Sequence, residues 1–274
     1  MTGQTSDNPG MIRLLTFNLQ VGIHTQAYHH YLTRSWQHLL PHRRRGSRLT
    51  MIGDTLKGFD LVALQEADGG SFRSGNVNQV EYLAEQAGFP THYQQLNRNL
   101  GRLAQHSNGL LSRLPPGHIT NHRLPGPPGR GALHVRFGEG SDALHIFVAH
   151  LALGMRARNM QLDYLSELVD PLHHVVVMGD LNCTLEQLHA HKRFCRALDL
   201  RHTPTIPSYP AWQPTRALDH ILLSSSLTPH NPQALAPMFS DHLPLAVDVQ
   251  LPSSCAKAIS ITSQGHTRRQ SSGL

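Results

Sequence analysis

Asp180 and Asn182 stand two residues apart in VVVMGDLNC, where a run of valines passes through Met178 and Gly179. In an extended chain such positions share a face, so an apolar strand would end by displaying a carboxylate and an amide together. One pair of this kind is weak evidence, because Asn and Asp at strand ends usually do turn chemistry. The arrangement recurs, however. MIRLLTFN ends in Asn18, LVALQE in Gln65 and Glu66, and ALHIFVAH in His150. SNGLLSR opens with Ser107 and Asn108, ALDHILLS carries Asp219 and His220, and LPLAVDVQL follows Ser240, Asp241 and His242. With GDLN, seven apolar runs each present Asn, Asp, Glu or His at one end. These are the residue types that bind hard cations or move protons, and turn chemistry explains seven together poorly.

The elements that must position these groups are short. Apolar runs bounded by Gly, Pro, Asn or Asp predict strands at 11–18, 61–66, 107–113, 132–137, 143–150, 174–180, 217–224 and 243–251. GEGSD between two of them predicts a hairpin. Apolar spacings of three and four predict helices near 47–56, 76–88, 155–169 and 185–200. Strands outnumber helices and some are adjacent hairpin pairs, which fits α+β layers better than a strictly alternating chain. The expected organisation is a disordered segment at 1–10, a single domain at 11–251, and a disordered basic tail at 252–274, rich in Ser and Thr.

Composition narrows the classes. The 274 residues can bury a substantial core, and no stretch has the apolar length of a membrane span. The first residues, MTGQTSDNPG, lack a basic region followed by an apolar run, and three cysteines without CxxC spacing suggest a reducing compartment, so a cytoplasmic protein is expected. The charge of +6 is local: four arginines lie in HRRRGSR, and Lys257, Arg268 and Arg269 in the tail, leaving the rest near neutral. Arg43, Arg44 and Arg45 are therefore candidates for binding a polyanion, with a solvated loop as the plainer alternative. Most of the 21 histidines are expected to be surface or simple hydrogen-bonding residues; only those beside strand ends carry functional weight.

Taken in order, TFNLQ, LQEAD, SNGLLSR, FVAHLALG, GDLNC, LDHIL and SDHLPL resemble the motifs of the endonuclease/exonuclease/phosphatase superfamily, and the resemblance covers about 11–251. It implies the deoxyribonuclease-I-like fold, a four-layer α/β/β/α sandwich with the active site where strand ends meet. It implies that Glu66 is the principal Mg²⁺ ligand, with Mn²⁺ a possible substitute, and that Asn18 and Asp241 help to hold the metal. Asp180 would orient or deprotonate the attacking water, and Asn182 would hold a phosphoryl oxygen. His242 would contact the phosphate or move a proton with Asp219 as its orienter, His150 would be a second imidazole facing the phosphate, and Asn108 would sit near the substrate. His220 and Asp68 have no fixed role by this comparison, and Cys183 and Cys195 read as small packing residues rather than nucleophiles.

The implied reaction is in-line attack of water on phosphorus. Loops rather than core motifs choose the substrate. The sequence AQHSNG has His106 where abasic-site endonucleases usually show tyrosine before the Asn, which counts against that repair activity. A phosphodiesterase of nuclease type acting on nucleic acid is the leading expectation. The same chemistry on a phospholipid or small phosphate ester is the alternative, and an inactive binding protein on the same fold the third. Oligomeric state is not legible.

Overall fold

A computed structural model describes residues 10–20, 45–115, 117–200, 205–236 and 239–260. Arg43 and Arg44 lie outside these, as does the side chain of Arg45, so the arginine cluster has no structural account. Residues 1–9 and 261–274 lie outside them too.

Two mixed sheets pack face to face. The first has the order β10-β11-β1-β2-β4-β3 and the second β5-β6-β7-β8-β9. In the first, β1 (Met11–Asn18) runs parallel to β2 (Leu61–Asp68). The chain between them includes α1 (Arg45–Leu56), the crossover that parallel neighbours require. The remaining strands, β3 (Thr91–Asn99), β4 (Gln105–Ser112), β10 (Thr228–Ala234) and β11 (Leu245–Gln250), pair antiparallel. The second sheet repeats the plan. Its parallel pair is β7 (Leu144–His150) and β8 (His174–Asp180), joined through α3 (Met155–Val169). Antiparallel β5 (His118–Arg123), β6 (Gly131–Phe137) and β9 (Asp219–Leu223) complete it.

The central strands are buried on both faces, which is why they read as continuous apolar runs rather than alternating ones. Leu14, Leu61, Leu110, Ile146, Val148 and Val176 fill the space between the sheets. Their chain neighbours point the other way. Leu15, Val62 and Leu64 pack on α1 and on α2 (Gln79–Ala87), while Phe147, Val175 and Val177 pack on α3, α4 (Leu185–Ala190) and α5 (Lys192–Ala197). The result is the α/β/β/α sandwich.

Four expectations change in detail. Strands β3, β5 and β10, unforeseen from the sequence, all lie at sheet edges. The helix expected over 185–200 is two helices, because His191 leaves helical geometry and its Nδ1 caps the second by accepting from the Phe194 N–H. The helix expected from 76 starts at Gln79, since the Asn78 side chain caps it. The tail expected to be disordered from 252 is helical at 253–260, here α6, and buries Cys255 and Ile259 in the inter-sheet core. No helix among the described residues is long and apolar enough to cross a membrane.

Candidate active site

The two parallel pairs deliver the chemistry. Asn18 is level with Gln65 at the carboxyl end of one pair, one residue before Glu66. His150 is level with Asp180 at the carboxyl end of the other. Because the sheets pack face to face, both ends open into one cleft of about 430 Å³, which Asn182, Asp241 and His242 also line.

Backbone irregularities aim the side chains. The pairing of β2 with β4 slips between Leu64 and Ala67, and Glu66 within that bulge has φ +53°. A non-glycine residue held there is strained, and bulges re-aim side chains beside active sites. The buried strand places Glu66 while leaving 30% of its side chain open to the cleft. Asn182 is also left-handed, at φ +52°. The shared-face argument for Asp180 and Asn182 therefore gives way to a turn: β8 ends at Asp180, whose Oδ1 accepts from the Asn182 N–H at 3.0 Å. The Asn182 Nδ2 donates to the Leu151 carbonyl at 2.9 Å, and the Asn182 carbonyl accepts from buried Arg158 at 2.8 Å. Gly179 answers to a different need. A Cβ there would lie 1.9 Å from the Ala149 carbonyl oxygen, so only glycine lets β8 close on β7 immediately before Asp180.

Asp180 is the hub. Its Oδ2 accepts from the Asn18 Nδ2 at 3.1 Å and lies 3.4 Å from the His150 Nε2 and 3.9 Å from the His242 Nε2. Behind His242, the Asp219 Oδ2 accepts from Nδ1 at 2.7 Å and from the Ser208 hydroxyl at 2.5 Å. Burial raises the Asp180 carboxyl to about 7, a rise that His242 opposes and Asp219 assists. For His242 burial favours the neutral ring, but Asp219 and then Asp180 and Asp241 outweigh it and lift the imidazole to about 10. His150 is held well below its ordinary value by burial and by the charges of Arg130, His242 and His106. At neutral pH the cleft thus presents one imidazolium and one neutral imidazole.

The donor set suits a hard cation. Burial and the Asp241 charge raise the Glu66 carboxyl, so two carboxylates face one space with their repulsion only partly offset by His242, Arg130 and Asn18. One or two carboxylates facing an open cleft match what Mg²⁺ takes, with water and phosphate completing its shell; Asn18, whose Nδ2 donates to Asp180 and whose Oδ1 accepts from the Gln20 N–H, holds these carboxylates in place. Among the described residues, Asp180, Asp219 and His242 form a tighter buried group, with ligand atoms within 4.8 Å of one another. In this structure that group is an ion-paired relay, the Asp219 Oδ2 accepting from both the His242 Nδ1 and the Ser208 hydroxyl.

The remaining candidates lie around this centre. The Asn108 Nδ2 donates to the carbonyls of Gly131 and Val148, tying the sheets together beside the cleft. His220 turns its Nε2 to the Cys183 carbonyl at 2.8 Å. Asp68 organises a turn, its oxygens accepting from the N–H groups of Gly70 and Ser71 and from the hydroxyls of Ser71 and Ser74. Burial raises the Cys183 thiol to about 11, which suits a packing residue. Sequence reasoning missed Arg130, which lines the cleft from the loop before β6, and Ser208, which supports Asp219. Arg130 is flanked by glycines in PGRGA, a signal of close backbone approach.

A two-sheet sandwich whose parallel strand ends gather carboxylates, amides and imidazoles around one cleft is the architecture of a phosphoesterase. The endonuclease/exonuclease/phosphatase family model matches residues 15–242, and the chain belongs to this family, whose members are hydrolases acting on phosphoester bonds. The family generally depends on a divalent metal. No curated protein matches the sequence at a significant level. Among solved structures, an endonuclease/exonuclease/phosphatase from Beutenbergia cavernae is similar at TM-score 0.68 and 18% identity, over 89% of this chain and 72% of that one. Sphingomyelinase C from Streptomyces griseocarneus is similar at 0.56 and 16%, over 87% and 99%. A mannosyl-6-phosphatase from Bacteroides thetaiotaomicron is similar at 0.59 and 15%, over 87% and 99%. At these identities the likeness is one of fold.

Proposed function

We propose that the protein is a Mg²⁺-dependent phosphodiesterase of nuclease type. The observation that carries this reading is the convergence of Glu66, Asp180, His150 and the Asp219–His242 pair on one open cleft. In this reading Glu66, Asn18 and Asp241 would hold the metal, whose chemistry there would be Lewis-acid stabilisation of charge on the phosphoryl group. Asp180 orients a water on the far side of phosphorus and takes its proton, a role suited to a carboxyl near 7. Asn182, fixed by Arg158 and Leu151, presents its amide to a phosphoryl oxygen. His242, protonated and steered by Asp219, stabilises the developing negative charge or gives a proton to the leaving oxygen. His150, neutral, donates a hydrogen bond without adding charge.

A phospholipid is the second reading. Leu153, beside the cleft, and Met155, at the start of α3, are strongly exposed, as are Leu100 and Leu103 between β3 and β4. The test is hydrolysis of an aryl phosphodiester, an aryl phosphomonoester, supercoiled plasmid and phospholipid vesicles with Mg²⁺, Mn²⁺ or EDTA. Metal-dependent cleavage of the diester and plasmid is expected. Cleavage of vesicles with plasmid intact would move the assignment to the lipid reading, and turnover undiminished by EDTA would remove the metal from it.

A further inference from the structure

Beside the cleft, and sharing Glu66, Arg130 and His150 with it, lies a second compartment of about 140 Å³. Arg98 from β3 and Arg130 from the loop before β6 both line it. The loop is shaped to bring them there. Gly129 has φ +89°, and a Cβ on it would lie 3.3 Å from the Arg98 stem; a Cβ on Gly131 would lie 2.1 Å from the Asn97 Oδ1. The glycines on either side of Arg130 thus let the loop lie flat against β3, with the Arg98 stem resting on Gly129.

Among the described residues, neither guanidinium has a hydrogen-bond or ion-pair partner. Arg130 is half-buried and feels the charges of Glu66 and Asp180 without bonding to either. Each guanidinium carries five N–H donors in a planar fork suited to phosphate oxygens. The space is large enough for several waters or for one tetrahedral oxyanion.

We propose that this compartment is a subsite for a second phosphate of the substrate, held by Arg98 and Arg130 while the scissile phosphate lies at Glu66 and Asp180. The preferred substrate then carries at least two phosphates, as a nucleotide chain or a polyphosphorylated small ester does. A lone monoester leaves Arg98 without a ligand. The inference rests on the phosphodiesterase reading for its link to turnover, but the subsite itself is testable by binding.

Calorimetry on EDTA-stripped protein would compare a nucleoside bisphosphate with its monophosphate, and an inositol bisphosphate with its monophosphate. In at least one series the bisphosphate should bind about tenfold tighter, and that series identifies the source of the second phosphate. Arg98→Ala should bring the ratio to within about twofold of unity, and Gly129→Ala, by displacing the Arg98 stem, should lower it. Equal affinity for mono- and bisphosphate in both series, or a ratio unmoved by Arg98→Ala, overturns the subsite. Aryl phosphodiester turnover, measured in parallel, reports on the catalytic reading alone: its loss beside an intact affinity ratio sinks that reading and leaves the subsite standing.

Discussion

His242 in the cleft and the His134–His145 pair on the outer face of the second sheet end in opposite protonation states. In the cleft, His242 meets Asp219 at 2.7 Å and is lifted to about 10. On the outer face of the second sheet, the His134 Nε2 lies 2.9 Å from the His145 Nδ1. There His134 stacks on Phe147 with centroids 4.1 Å apart, and His122 stacks on His134. Burial lowers His134 to about 3 and His145 to about 4, and the neighbouring charges that add to this come from other histidines and Arg136. Burial favours the neutral ring at both places, so the carboxylate partner decides the outcome. An imidazole becomes a usable cation only where a strand or loop brings an acid to it. His150 refines the point: it lies 3.4 Å from Asp180 yet stays neutral, because burial is reinforced there by the positive charges of Arg130 and His242.

Removing the acids of the cleft should have the largest effect. Glu66→Gln and Asp180→Asn should each lower kcat/KM for an aryl phosphodiester by about 10³-fold while the thermal midpoint holds or rises, since each substitution removes a buried charge. Either variant keeping more than a tenth of wild-type activity would take that residue out of the chemistry. Asp219→Asn should cost about 10²-fold by leaving His242 without its partner. Combined with His242→Gln, it should add little beyond the larger single effect, because the two act as one unit. Additive losses would show that they act separately.

The same logic explains what the sequence could and could not reveal. The placing of Glu66, Asp180 and Asp241 at the cleft was legible because each stands at one end of an apolar run and within a motif whose order resembles the family's. The central strands were legible as apolar runs, being buried on both faces. Strands β3, β5 and β10, with the sequences THYQQLNRN, HITNHR and TPHNPQA, were not, because edge strands with a solvated face need no apolar run. Arg130 was hidden because its role depends on a loop lying against β3, a contact between distant segments. The order of the motifs pointed to Asp219 as the partner of His242, but the Ser208 hydroxyl behind it comes from a loop without periodicity. The turn joining Asp180 to Asn182 also escaped, since a spacing of two fits both an extended strand and an Asp-initiated turn.

The outer histidine pair acts on stability rather than on turnover. The unfolded chain takes these protons near pH 6.5, whereas the folded chain refuses them until about 4 and about 3. Folded values lie below unfolded ones, so the unfolded state binds more protons in between, and stability falls as pH falls. The pair should contribute roughly 1–3 kcal/mol to the stability lost between pH 6.5 and pH 5, after discounting for the partial exposure of His134; because the raised Asp180 and Glu66 carboxyls work in the opposite sense, that share is read by chemical denaturation of the wild type against a His134→Phe, His145→Phe double variant. The same profile in the wild type and the double variant would mean that the pair titrates as it does in water.

The smallest effect comes from His134→Phe, and it separates the two histidine sites most cleanly. The ring already stacks on Phe147 at an interplanar angle of 9°, so phenylalanine keeps the aromatic contact and loses only the hydrogen bond to His145. That loss should cost about 1 kcal/mol at neutral pH. The pair's share of the stability difference between pH 6.5 and pH 5 should shrink by about half, because one of the two protons that the pair refuses is gone. Turnover should stay within about twofold of wild type, since the effects of separated sites are independent. A large loss of turnover with stability intact would couple the outer face to the cleft, and would mean that an imidazole without an acid partner can still matter to the chemistry.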